Sequence, residues 1–138
     1  MNTNIFIIFL VYLSVIFSVI GYGSFLSKYI FKKIDNLNFG YLGIGGIVAL
    51  SIYAYFSHIF IAHSIEHNLI LIFFGILFFF ILCRKKTKEI LFSLSIFSII
   101  FISLIIFKTH DDFPYYHFGY SYYLTQTSLY IGIGQFNH

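Results

Sequence analysis

Charge is what this chain has least of. Only 9% of its 138 residues are Asp, Glu, Lys or Arg, while 59% are hydrophobic. A soluble domain usually carries about 25% charged residues, and so little polar surface could not cover a fold in water. The shortage excludes the ordinary soluble class and points to a membrane protein. Cysteine is nearly absent as well. Cys83 stands alone, which excludes an internal disulfide and any cysteine-based metal site. At the end of an apolar run, it reads as a small apolar residue in a helix. The chain also lacks the phosphate-binding G-x-x-x-x-G-K-[ST] loop, a Cys/His zinc pattern and a G-x-S-x-G elbow. Its basic residues form short clusters without interleaved aromatics, so nucleic acid is not an expected partner.

What the chain has instead is apolar length. A helix needs roughly 20 apolar residues to cross the hydrocarbon core. Four runs approach or reach that length, at residues 5–26, 39–62, 68–83 and 90–107. None shows an amphipathic period, as expected of helices surrounded by lipid and by one another. The leader MNTN has no basic side chain and no A-x-A-like cleavage site follows it, so the first run reads as a retained span and not a signal peptide. The fold class this predicts is an all-α integral membrane protein. It has four transmembrane helices, followed by an outward-facing interfacial aromatic helix in the segment 108–138.

The connections predict an orientation. Lys28, Lys32 and Lys33 lie between the first two runs, and RKKTKE at 84–89 lies between the last two. HSIEH at 63–67, between the second and third, has no Lys or Arg. Basic connections stay in the cytoplasm. The N-terminus and everything after Phe107 are then expected outside the inner (plasma) membrane. In the second run Gly40, Gly43, Gly46 and Ala49 fall three apart, a spacing that lets another helix approach closely; a broken helix at a substrate site is the alternative. His58, near the outer end of that run, is expected to have a structural role within reach of interfacial water. Ser93, Ser95, Ser98 and Ser103 can bond back to carbonyls of their own helix.

The outward segment begins KTHDDFPYYHFGYSYY and ends GIGQFNH. Pro114 suits a first helical turn, with Asp112 placed to cap it. From Tyr115 to about Tyr130 the pattern is helical and aromatic, which fits a helix lying at the membrane interface, where tyrosine is favoured. Two readings of Asp111 and Asp112 stand side by side. In one they cap the helix and interact with its dipole, and the tyrosines form an aromatic belt. In the other one of them is a general base or metal ligand at lipid head-group height, with His110 or His117 nearby. A divalent metal is the one cofactor this reading admits. The chain stops in the middle of a polar motif, so it reads as the N-terminal part of a longer multi-pass protein.

The strings D-D-F-P-Y-Y-H and G-I-G-Q-F-N-H, together with GYGSFLSKYIFKK and NFGYLGIGG nearer the start, resemble a group of bacterial multi-pass membrane proteins. Those proteins look like glycosyltransferases of the C-type fold. The resemblance implies an enzyme of cell-surface polysaccharide or glycolipid assembly, with a polyprenyl-phosphate-linked sugar and membrane lipid as partners. It would give the catalytic acidic role to Asp111 or Asp112. Tyr116 and His117 would match a Tyr-His pair. Gly132, Gly134, Asn137 and His138 would match a later turn, with Gln135 where the pattern often has Asn. His110, Tyr116, Asn137 and His138 would then contact substrate. In C-type enzymes the acidic loop follows the first span, whereas here it follows the fourth. Either extra helices precede a common core, or the likeness is confined to these short strings. A polysaccharide or lipid transporter and a non-catalytic membrane subunit remain the alternatives. The lack of Asp, Glu, Lys and Arg inside the four runs counts against the transporter.

Overall fold

The computed structural model describes residues 4–31, 37–106 and 113–129. Among these residues the structure is helical, without a strand. Four helices are long and apolar enough to cross a membrane. They are α1 (Ile5–Leu26), α2 (Phe39–His58), α3 (Ile65–Cys83) and α4 (Thr87–Ile106). A fifth, α5 (Phe118–Gln126), follows a π-type turn at Phe113–His117.

The helix ends follow from capping chemistry. Asn4 caps α1 through Phe6 N–H at 3.0 Å, and Asn38 caps α2 through Tyr41 N–H at 3.1 Å. Each side chain satisfies a backbone donor that the helix itself leaves unpaired. The third run reads as starting at residue 68, but α3 starts at Ile65. Ser64 supplies the cap, accepting from His67 N–H at 3.4 Å, so polar residues of the connection join the helix. In the opposite sense α2 stops at His58, short of residue 62. α1 runs on through a π-type turn, Ser27–Phe31, to make a continuous 27-residue helix.

α1 is the centre of the bundle, packed against α2 on one face and α3 on another. The contacts are backbone to backbone. A Cβ on Gly21 would strike the carbonyl of Gly75, and one on Gly75 would strike Ser18. On the α2 side, a Cβ on Gly46 would strike the Val19 carbonyl, and one on Gly23 the Leu42 carbonyl. Small residues at these crossings let the helix axes come together, which is how apolar helices gain packing without a hydrophobic driving force. Of the predicted stripe on α2, Gly46 makes the tight contact, while the nearest neighbour of a Cβ on Gly43 would be Ile20 at 4.0 Å.

Around these crossings sits a small core of Ile20, Phe39, Leu42, Phe79 and Cys83. Phe17 and Phe79 lie 4.7 Å apart between ring centroids, and Phe25 stacks on Phe78 at 4.6 Å. Tyr22 donates its hydroxyl to the Leu71 carbonyl at 2.9 Å. Cys83 is fully buried and lies 3.1 Å from Ser24 Oγ, the small helix-end residue its position suggested. α4 is more loosely held, through Phe101 against Phe9 and Tyr12 at 4.9 and 5.2 Å. Ser95, Ser98 and Ser103 bond back to Leu91, Leu94 and Ile99. Ser93 does not, and lines a cleft with Phe39. Most other apolar side chains of the four helices are exposed.

Candidate functional site

The two ends of the bundle differ in chemistry. At one end α1 finishes, α2 starts, α3 finishes and α4 starts. Lys86 ties this end together, donating to the Leu37 carbonyl at 2.6 Å and pairing with Glu89 at 3.4 Å. At the other end α2 hands over to α3 through residues 59–64, and α5 packs on top. Three histidines gather there.

His58 is 6% exposed. It was expected to reach interfacial water, but α5 covers it. Its Nε2–H donates to the Leu124 carbonyl at 3.0 Å, a bond that fixes which nitrogen carries the proton because a carbonyl can only accept. Two backbone bonds complete the seat of α5. His63 N–H donates to the same Leu124 carbonyl at 3.2 Å, and Leu129 N–H donates to the His58 carbonyl at 2.8 Å.

His63 and His67 extend the cluster. His58 meets His63 edge-on at 4.6 Å, and His63 stacks on His67 at 4.7 Å. Ser57 Oγ lies 2.8 Å from His63 Nε2, and Tyr53 Oη 2.9 Å from His67 Nε2. Tyr53 also stacks on His67 at 5.8 Å. Asn68 fixes the backbone by donating to the His63 carbonyl at 3.0 Å. Burial, then His58, then His67 hold the His63 imidazole below the ordinary histidine range. His67 Nδ1 is buried without a hydrogen-bond partner among the described residues, where an N–H would go unsatisfied. Stacked rings do not converge on a point, and among the described residues no His, Cys, Asp or Glu group is arranged to hold a metal ion.

Beside the cluster is a cleft of about 330 Å³, lined by Ser51, Ala54, Tyr55, His58 and His63 on the bundle and Tyr120, Leu124 and Leu129 on the α5 side. Its walls mix apolar surface with hydroxyls and imidazoles.

The residues singled out in the sequence fall mostly elsewhere. Asp111, Asp112, His110, Asn137 and His138 lie outside the described residues. Tyr116 belongs to the π-type turn. His117 ends that turn, is exposed, and is not part of the histidine cluster. An aromatic helix does follow Pro114, but it ends at Gln126, short of Tyr130.

The residues the sequence reading passed over are His63, His67, Tyr53 and Ser57. The available signal was spacing. Tyr53 and Ser57 are four apart on α2, and residues so spaced share a helix face; His63 and His67 are also four apart, on either side of the Ser64 cap.

Comparisons with known proteins find no family model, no curated protein and no solved structure that matches this chain.

Proposed function

We propose that this chain is an integral membrane protein that crosses the inner membrane four times. Its basic connections face the cytoplasm. Its N-terminus, the histidine end and the segment from Lys108 onward lie outside. The observation that carries this reading is the segregation of the two ends. Lys86 and Leu37 join the two Lys/Arg-bearing connections at one end. The opposite connection, residues 59–64, has neither Lys nor Arg, and the aromatic α5 is seated there. Lys/Arg-rich connections stay cytoplasmic, which chooses the orientation; tyrosine favours either interface, which is compatible with it.

Within that frame the resemblance of the D-D-F-P-Y-Y-H and G-I-G-Q-F-N-H strings supports a glycosyltransferase-like role in cell-surface polysaccharide or glycolipid assembly, with a polyprenyl-phosphate-linked sugar as donor. In sequence, Asp111 and Asp112 directly precede the turn that leads into α5, which supports a role for the pair near the lipid head groups. In the reaction a carboxylate takes the proton of the attacking acceptor hydroxyl. The hydroxyl oxygen bonds to the anomeric carbon as that carbon's bond to the lipid phosphate breaks, and the phosphate leaves with the electron pair. General-base assistance of this kind contributes roughly 10²- to 10⁴-fold. The test is the double variant Asp111→Asn, Asp112→Asn in the full-length protein, expressed in a deletion strain. Surface glycan output is expected to fall by about 10²-fold or more, with membrane levels of the protein unchanged. Unchanged glycan output would overturn the catalytic role and leave the pair as a helix cap.

A further inference from the structure

The cleft at the histidine end has a shape and a charge that select a ligand. Ser51, Ala54, Tyr55 and His58 are spaced i, i+3, i+4, i+7 and so lie along one stripe of α2. At 1.5 Å per residue this wall is about 10 Å long. It starts within the helix at Ser51 and rises to the imidazoles. Tyr120, Leu124 and Leu129 form the facing wall, and His63 closes the polar end. Ser51 and Tyr55 are exposed on the flank of α2, so the cleft opens sideways, along the length of a membrane-spanning helix. Its volume of about 330 Å³ is within the range of sites for small molecules.

Among the described residues the lining carries no Asp, Glu, Lys or Arg. A phosphate or ammonium seated there would meet no counter-charge among them, which is unfavourable wherever the cleft shields it from water. The polar groups suit hydroxyls instead. His58 Nε2–H is committed to Leu124 and His63 Nε2 to Ser57. The hydroxyls of Tyr55 and Tyr120 make no hydrogen bond among the described residues and can both donate and accept. Their rings supply flat apolar surface next to those hydroxyls.

We propose that this cleft binds the uncharged, hydroxyl-bearing head group of a membrane lipid, a neutral glycolipid such as a monoglycosyl diacylglycerol, with its chains running down the flank of α2. The inference rests on the reading of α2 as a membrane span. It names a ligand that is chemically distinct from an anionic lipid phosphate.

The test uses the full chain in phosphatidylcholine nanodiscs containing monoglucosyl diacylglycerol with a diazirine in one acyl chain. After irradiation, adducts are expected in peptides covering 51–58 and 120–129. Unlabelled monoglucosyl diacylglycerol is expected to compete, and phosphatidylglycerol and methyl glucoside are not. Ala54→Trp, which fills the cleft, should remove the adducts. Tyr55→Leu, at a residue 78% exposed and so without consequence for folding, should weaken competition about three- to tenfold, as expected for one lost hydrogen bond. Equal competition by phosphatidylglycerol overturns the neutral head group. Equal competition by methyl glucoside overturns the lipid. Adducts spread evenly over all helices and indifferent to both substitutions overturn the site. An inverted membrane orientation would sink the topology proposed above yet leave this adduct map unchanged, so the two failures are distinguishable.

Discussion

Gly21, Gly46 and Gly75 each stand where a single methyl group would strike a neighbouring helix. The atoms it would meet are mainly backbone, which cannot rotate aside as a long side chain can. Gly46→Ala is therefore expected to destabilise the α1–α2 pair by about 1–3 kcal/mol, the usual cost of overpacking. Gly43→Ala, whose Cβ would meet only Ile20 at 4.0 Å, should be neutral or gain up to about 1 kcal/mol from helix propensity. Thermal unfolding in detergent followed by circular dichroism checks both; equal effects at the two sites would refute the crossing geometry. The sequence showed the glycine stripe of α2 but not which member mattered. Positions three apart advance about 300° around a helix, so the stripe drifts. The contact is selected by the partner, the α1 backbone at Val19 and Gly23, which no reading of α2 alone contains.

At the scale of elements, the four long helices were legible because each is an apolar run bounded by polar residues. Their capped starts at Asn38 and Ser64 sharpen what the runs left approximate. The seating of α5 was not legible. It depends on the Leu124 carbonyl, a group every residue carries, meeting an imidazole 66 positions away. No side-chain pattern encodes that. The seat should respond to pH. His63 faces His58 and Ser57 of α2 and His67 of α3, and its own N–H holds α5 through Leu124. Burial and the two imidazoles lower its proton affinity relative to the unfolded chain. The unfolded state thus binds protons more readily, and stability rises with pH. The contribution is present in full above the ordinary histidine value of about 6.5 and is lost as pH falls below it, through the lowered value. Melting temperature in detergent is expected to drop across that window, and less steeply in His63→Gln. A variant as pH-sensitive as the parent would rule out His63 as the source.

For the whole molecule, orientation is the property that everything else inherits. In a Cys83→Ser background, Glu66→Cys at the start of α3 and Lys85→Cys between α3 and α4 lie at opposite ends of the bundle. A membrane-impermeant maleimide applied to intact spheroplasts is expected to label Glu66→Cys and not Lys85→Cys, with both labelled after permeabilisation. The reverse pattern would place the histidine end in the cytoplasm and remove the basis for an outward glycan chemistry. The helical architecture could be read from composition and run length, since unbroken apolar runs of about 20 residues suit helices, which satisfy their own backbone hydrogen bonds. The acidic pair and the later turn read in the sequence lie outside the described residues; the histidine cluster was not legible because it assembles only in three dimensions.

The central position of α1 also has a meaning in time. In the membrane arrangement proposed above, insertion proceeds from the N-terminal side, so of these four helices α1 arrives before the others, with its glycine and serine faces open to lipid. α2 can then close one face by fitting Gly46 between Val19 and Gly23, and α3 the other by laying Gly75 on Ser18 and Gly21. Neither arrival displaces the one before it. The order of synthesis and the order of contact are the same, so the bundle can assemble as it is made, each new helix finding its partner already in place.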